Sequence, residues 1–462
     1  RRCPEVRITG FVEPGSVRCG CIRNMYDCSN ICEDLMKIKP VVSRPVKIAV
    51  IGAGNRADKY LEYARRYPGR LQLVAVVELN ELRRRAMADR FGLPEDRRYV
   101  NYDDFFADRV EADMVLVSTP ENAHFDPAIK AIDAGYHLLL EKPIAQRLDE
   151  CREIARRARE RGVRVGVCHV LRYTPFYSRV KQLIDEGVLG DIVTIVHTEG
   201  LGNIHQSHSF VRGNWGNTAK SNFMLLAKSC HDIDLLQWLM KKKCTKIQSF
   251  GSLQYFRREN APADAPERCI DGCPHAETCP YNAVKLYLDD KNNMWFRTTS
   301  TGKVDPTDAD VEFTLRHTQY GKCVFKCDND VVDHQVVNME FDDKSTASFT
   351  MSCFNYNGRK SNIMGTKGEM FLDFEGDEIR IFHFEGSWWE TIHTNGRVDG
   401  TLVGGHGGGD PGIVNALYDY MTGAKTADEV SEIGISCENT RLVFAAERSR
   451  LNGDVETITP LA

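Results

Sequence analysis

No stretch of this chain stays apolar for the roughly eighteen residues that would cross a bilayer, so a helical membrane anchor is not expected. Strong charge of either sign is also missing. Sixty Lys and Arg stand against 65 Asp and Glu, and the formal charge of −5 argues against nucleic acid or an anionic membrane surface as partner. Basic clusters such as Arg83-Arg84-Arg85 fall on helix-like stretches and read as solvated faces. Arg1-Arg2 is not followed by an apolar run, so no secretory or twin-arginine leader is expected there. No internal repeat is evident.

Cysteine, by contrast, is plentiful. Five of the 16 cysteines precede residue 36 and three cluster at 269–279. Others, such as Cys168, Cys230 and Cys353, lie on apolar stretches, as buried free thiols do. A chain of 462 residues, 42% of them hydrophobic, has core enough without a disulfide framework. A reducing, cytoplasmic setting is therefore expected.

Residues 1–45 show neither helical nor strand periodicity and are expected to be poorly ordered. From 46 onward strands and helices alternate. Strands are expected over 46–51, 71–77, 113–118, 136–140 and 163–167, with helices over 56–67, 80–91, 125–134 and 148–161. Near-continuous apolar strands separated by helices imply a parallel sheet covered on both faces. The second half reads as helices near 175–186, 230–240, 411–422 and 437–450 with strands near 191–198, 246–256, 322–326, 335–341, 345–353, 361–364, 369–373 and 378–383. The expected fold is α/β. A doubly wound, NAD(P)-binding Rossmann domain over 46–167 precedes a C-terminal α/β domain over 168–462, which carries a large mixed or antiparallel sheet. That sheet offers an open face for homo-oligomer formation, and residues 257–310 read as an irregular, cysteine-bearing insertion.

The first chemical signal is Gly52-Ala-Gly54-Asn55-Arg56-Ala57, where a strand passes through a tight turn into a helix. Glycines there permit close approach of a pyrophosphate, whose charge the helix N-terminus stabilises. The next strand ends on Glu78, placed to accept from the adenosine ribose hydroxyls. That favours NAD, whereas Arg83 to Arg85 keep NADP as the alternative. Thr119, Pro120 and His124 follow a third strand at the same carboxyl edge. His124 by itself reads more readily as a helix-start residue.

The second signal is Glu141-Lys142-Pro143 at the end of an apolar run. A surface ion pair before a turn is the plainer reading. Beside a cationic nicotinamide, however, a lysine would lose basicity and suit proton transfer at a substrate hydroxyl.

These stretches, together with Ala134-Gly-Tyr-His137, Arg172-Tyr173-x-Pro175 and His231-x-Ile-Asp234, resemble the Gfo/Idh/MocA family of nicotinamide-dependent sugar oxidoreductases across about 46–460. The resemblance implies that Lys142 and His231 face a sugar and exchange its proton, with Glu141 and Lys142 beside the cofactor. One departure stands out: many dehydrogenases of the family carry an aspartate four residues before this histidine, and Ala227 holds that position. Lys228 is a candidate substitute. His169, Tyr173, Arg212, Trp215 and His406 are further candidates for lining a carbohydrate pocket. Gly404-Gly-His406-Gly-Gly-Gly409-Asp410 reads equally as a hinge before a helix. Some family members with a Gly-His-Gly-Gly loop are NAD-dependent glycosidases, so transient oxidation is one alternative to net hydride transfer. A non-catalytic NAD-binding sensor is another.

Cys269-x3-Cys273-x5-Cys279 matches no standard zinc finger. Such thiolates suit structural Zn²⁺ or an iron–sulfur cluster if a fourth ligand such as Cys323 or Cys327 joins them, and otherwise remain free thiols.

Overall fold

The computed structural model describes residues 44–356, 358–395 and 406–459. The expectation for residues 1–45 therefore falls almost wholly outside the described part.

Six strands form the first sheet: β1 (Val46–Ile51), β2 (Leu71–Val77), β3 (Arg98–Tyr99), β4 (Met114–Val117), β5 (His137–Leu140) and β6 (Val165–Val167). Their order is β3-β2-β1-β4-β5-β6, with every pairing parallel. All four side chains of β4 are buried, as a strand covered on both faces requires. The order reverses between β1 and β4, and ligands of open α/β sheets bind at such a point, beyond the carboxyl ends of the strands.

The two faces carry separate cores. On one, Ile48, Val50 and Leu116 pack with Tyr60 and Leu61 of helix Asn55–Arg66. The other face joins Ile51, Val115 and Leu138 to helices Phe125–Asp133 and Leu148–Arg161. The C-terminal segment returns to this sheet. Helix Gly409–Met421 places Ile413, Val414 and Leu417 in the first core, and Ile433 and Cys437 of helix Ile433–Asn452 enter the second. Glycines permit the return, since a Cβ at Gly409 would lie 2.4 Å from the Val170 carbonyl oxygen and one at Gly412 2.3 Å from that of Tyr173.

The second sheet contains β7 (Ile192–Gly200), β8 (Cys244–Ser252), β9 (His334–Phe341), β10 (Thr346–Ser352), β11 (Gly358–Gly365), β12 (Gly368–Asp373), β13 (Glu378–His383), β14 (Trp388–Ile392) and β15 (Glu456–Thr457). It runs β14-β13-β12-β11-β7-β10-β9-β8-β15 and is mixed, because β7 and β10 pair in parallel while their other neighbours are antiparallel. Ile195, His197 and Glu199 alternate inward on β7, while Val193 and Val196 point out. Helices Pro175–Asp185, Cys230–Met240 and Ile433–Asn452 share the core of the inward face.

Two expectations need correction. Residues 322–326 form no strand; Lys322 makes a single bridge to Arg268, and the chain turns where Lys326 N–H donates to the Cys323 carbonyl at 2.9 Å. Val324 and Phe325 are apolar because they pack beside Phe256 and Tyr281, and not because they pair in a sheet. The insertion, which occupies the whole stretch between β8 and β9 (253–333), is also longer and more regular than expected. Helices Met294–Thr301 and Asp308–His317 form in it, the first capped by the Asn293 side chain and the second by a Thr307–Asp310 capping box.

Candidate active site

The turn after β1 is shaped for close backbone approach. Gly52 adopts φ +94°, and a Cβ there would sit 2.7 Å from the Ser118 carbonyl oxygen, so only glycine fits against β4. Among the described residues nothing lies within 4 Å of a Cβ built on Gly54. Gly54 caps helix Asn55–Arg66 without a side chain, which leaves the first amides of that helix to an anion. This cradle fits a dinucleotide pyrophosphate. Glu78 Oε2 accepts from the Ala53 N–H at 2.8 Å and Oε1 from the Asn80 N–H at 2.9 Å, so the carboxylate stands at the turn and braces it. Arg84 donates to the Glu78 carbonyl at 2.6 Å, which turns its charge onto the end of β2.

Arg56 explains Glu141. Its Nε donates to Glu141 Oε1 at 2.7 Å and its Nη2 to Asp410 Oδ1 at 2.7 Å, and Tyr60 donates to Glu141 Oε1 at 2.6 Å. Burial opposes ionisation of Glu141, yet the Arg56 guanidinium beside it holds the carboxyl below its usual range. Glu141 Oε2 accepts from the Lys142 N–H at 2.7 Å, and the Lys142–Pro143 bond is cis. Glu141 thus anchors the turn that presents Lys142. The His124 ring ties two loops together, with Nδ1 2.8 Å from the Pro143 carbonyl oxygen and Nε2 3.0 Å from that of Thr119. The Lys142 ammonium donates to the Ala227 carbonyl oxygen at 2.7 Å. At the position of the sequence departure, a backbone oxygen therefore meets the lysine.

His231 lies in the first turn of helix Cys230–Met240 and is buried. One turn on, Asp234 accepts from Arg172 Nε at 2.7 Å and Nη2 at 2.5 Å, and from Asn439 Nδ2 at 2.6 Å. Two motifs separate in sequence are joined by this buried ion pair, which fixes the helix bearing His231. His169 packs edge-on against His231 with ring centroids 5.9 Å apart. Burial pushes its imidazole down to about 4, so it stands neutral at pH 7. Tyr173, expected in the pocket, instead donates or accepts at Ser431 Oγ (2.9 Å) and accepts from the Ser431 N–H at 2.7 Å, because its ring packs under the returning C-terminal segment.

Sequence reasoning missed a buried charge network beside these groups. Lys228 Nζ lies 3.2 Å from Glu199 Oε1. Arg359 Nη2 lies 2.7 Å from the same oxygen, and Arg359 Nε donates to Asp232 Oδ1 at 2.7 Å. His197 Nε2 completes it, 2.9 Å from Asp232 Oδ1. The one advance sign was the polar pair His197 and Glu199 on the inward register of β7. Burial first, with Asp232 nearby, pushes the Glu199 carboxyl up to about 7, against the pull of Arg359. The folded chain then holds this proton more tightly than the unfolded chain. The associated stability is full below the ordinary value of 4.5 and is lost as pH rises through about 7. Relative to E199Q, the wild-type protein is expected to lose on the order of 3 kcal/mol between pH 4.5 and 7.5. Parallel stability curves from denaturant titrations over that range would refute it.

Asn55, Arg56, Thr119, Pro120, His124, Glu141, Lys142, Trp215, Lys228 and His231 line one cavity of about 990 Å³. Its far wall is again unforeseen. Trp295, Thr299 and Tyr320 come from the insertion, and Glu121 holds Trp215 by accepting from its Nε1 at 2.8 Å. Arg212 reaches the cavity wall, but its donors turn to the Lys322 and Tyr281 carbonyls at 2.9 and 2.7 Å. Gly52, Gly54 and Glu78 stand outside the lining, at the turn, and His169 and Tyr173 lie behind it. Gly404, Gly405 and the His406 side chain are outside the described residues. Asp410, from the same segment, is the buried partner of Arg56. Cys269, Cys273 and Cys279 face a separate cavity. Among the described residues no three His, Cys, Asp or Glu side chains come together closely enough to hold a single metal ion. All 11 described cysteines are free of disulfides.

Residues 46–169 match the family model described as "Oxidoreductase family, NAD-binding Rossmann fold", and residues 181–394 match "Oxidoreductase family, C-terminal alpha/beta domain". The putative oxidoreductase YteT of Bacillus subtilis is 24% identical over 337 residues, covering 68% of this chain and 76% of that protein. Inositol 2-dehydrogenase of Salmonella typhimurium is 24% identical over 217 residues, 47% of this chain and 59% of the enzyme. The crystal structure of the WlbA dehydrogenase from Chromobacterium violaceum, in complex with NADH and UDP-GlcNAcA, superposes with a TM-score of 0.63 at 17% identity, covering 92% of this chain and 99% of that one. At that identity the superposition speaks for the fold alone.

Proposed function

The chain belongs to the Gfo/Idh/MocA family of NAD-binding oxidoreductases, and from that premise we propose that it moves a hydride between NAD(H) and a secondary alcohol or ketone of a sugar, sugar derivative or polyol. The observation that carries this reading is the meeting of Lys142 and His231 on one large cavity beyond the carboxyl ends of β1, β4 and β5. Gly52, Gly54 and the amides after them would hold the pyrophosphate, Glu78 the adenosine ribose, and Thr119, Pro120 and His124 the nicotinamide end. When bound, the nicotinamide supplies a carbon that accepts or returns hydride.

The protein's own part is to orient and to move one proton. An ammonium has three donors, and the Ala227 carbonyl takes one from Lys142. Another is left for the reacting oxygen. His231 accepts the hydroxyl proton in oxidation and returns it in reduction. Trp215 offers an apolar platform for a sugar face and Lys228 a donor for its hydroxyls. Glu78 at the end of β2 supports NAD over NADP. The open face of the second sheet, with Val193 and Phe250 about half exposed, is the surface proposed for self-association, and the free thiols fit a reducing, cytoplasmic setting.

Incubation with NAD and a panel of polyols and sugars is expected to yield NADH with at least one of them, and with NADP at a rate lower by about tenfold or more. Release of aglycone from an aryl glycoside without net NADH would replace this reading with an NAD-dependent glycosidase. NADH binding with no turnover on any substrate would leave a sensor.

A further inference from the structure

The second cavity, of about 250 Å³, lies inside the insertion and has a lining that the redox reading does not use. Four cysteines face it: Cys269, Cys273, Cys279 and Cys323. Local backbone geometry gathers them. Arg268 and Lys322 form an antiparallel bridge, and the Cys269 N–H donates to the Gly321 carbonyl and the Cys323 N–H to that of Glu267, each at 2.9 Å. Two cysteines 54 positions apart in sequence thereby flank one bridge, Cys269 opposite Gly321 and Cys323 opposite Glu267, and both line the cavity. Between Cys273 and Cys279 a tight turn closes, with the Cys279 N–H on the His275 carbonyl at 2.9 Å and prolines directly after both cysteines. Cys327, the fifth thiol nearby, is outside the lining and turns its Sγ to the Cys323 carbonyl at 3.5 Å.

An independent observation points to an anionic ligand. Arg212 is 2% exposed, and among the described residues its Nη1 has no hydrogen-bond partner. Its nearest groups able to carry negative charge are the Tyr287 hydroxyl and the thiols of Cys269, Cys327 and Cys323, with no carboxylate among them. Its Nη2 lies 3.7 Å from Cys269 Sγ. A buried guanidinium among neutral thiols is an uncompensated charge, which proteins avoid at a cost of several kcal/mol.

We infer that Cys269, Cys273, Cys279 and Cys323 hold a cuboidal iron–sulfur cluster, with Arg212 as its buried counter-charge. A single tetrahedral zinc would need thiolates about 3.8 Å apart, given Zn–S bonds of about 2.3 Å, and among the described residues no three donors come together to hold one ion. A cuboidal core holds its thiolates wider apart, on the outside of a metal–sulfide cage, and the cavity has room for it. Two ferrous and two ferric ions with four sulfides carry a charge of +2. Each cysteine loses its thiol proton to solvent as its Fe–Sγ bond forms, so the assembled centre carries −2, and Arg212 offsets half of that. The cluster pins the insertion, whose Trp295, Thr299 and Tyr320 wall the main cavity. This inference stands apart from the proposed dehydrogenase activity, and its readout does not involve turnover.

The test is metal and sulfide analysis of the full chain, purified without oxygen and then incubated with ferrous iron, ferric iron and sulfide. About four iron and about four acid-labile sulfide per chain are expected, with visible absorption that dithionite bleaches. C323S is expected to lose at least half of the bound iron, whereas C327S keeps it. R212M is expected to release iron to a chelator at least tenfold faster than wild type. Where a serine variant folds poorly, the iron and sulfide content of the wild-type chain decides alone. Iron and sulfide no higher than in a chain with all four cysteines changed to serine, stoichiometric zinc with no sulfide, or equal loss in C327S and C323S would each overturn the assignment.

Discussion

Replacing Lys142 with alanine lowers kcat by about 10²- to 10³-fold, the range for losing one hydrogen-bond donor aimed at the reacting oxygen, while NADH affinity stays within about threefold of wild type. The split follows from where Lys142 stands. Its ammonium points across the cavity to the Ala227 carbonyl and not into the glycine turn that receives the pyrophosphate. Fluorescence titration with NADH and steady-state turnover on the active substrate separate the two quantities. A K142A enzyme that turns over at the wild-type rate would remove Lys142 from the mechanism, and one that no longer binds NADH would make it a cofactor residue. Arginine at this site is expected to rescue little, because its planar fork replaces a compact ammonium whose donors must satisfy Ala227 and substrate at once.

Arg172→Leu is expected to destabilise the protein by about 3–5 kcal/mol, the range found when one partner of a buried ion pair is removed. Arg172 is 5% exposed and Asp234 1%, so neither charge has water to fall back on. The Asn439 amide would remain hydrogen-bonded to the carboxylate, with the neutral His169 ring 3.8 Å away. Chemical denaturation with a linear extrapolation measures the loss. The double variant R172L/D234N is expected to recover at least half of it, since the stranded charge disappears with the aspartate. A single variant within 1 kcal/mol of wild type would show that the pair is not what holds the His231 helix in place.

Sequence legibility varied with the range of the interaction. Apolar runs at 46–51, 71–77, 113–118 and 136–140 announced β1, β2, β4 and β5 because a parallel strand buried on both faces must be apolar throughout. The two-residue β3 carries too short a pattern to register, and the strand expected at 322–326 failed because Val324 and Phe325 are equally suited to an aromatic cluster. The spacing of Gly52 and Gly54 was readable for a local reason: a turn against β4 tolerates no Cβ at Gly52. Glu141 was legible as part of a motif and illegible as to its task, which depends on Arg56 and Asp410. Glu199 showed only as a polar residue on the inward register of β7 and Asp232 not at all, since a carboxylate in a sequence looks the same whether solvated or buried beside Arg359.

By itself the amino-acid sequence determined the alternation of elements, the parallel sheet with its glycine turn, and the arrival of Lys142 at a strand end, all properties of residues within a few positions of one another. Tertiary structure alone decided which distant polar groups meet. It placed Asp410 on Arg56, 354 positions away, paired Arg172 with Asp234 and brought Cys323 and Cys269 to one cavity. The physical reason is that burial converts an ordinary charge or thiol into one that must have a partner, and burial is defined only once the chain has closed on itself.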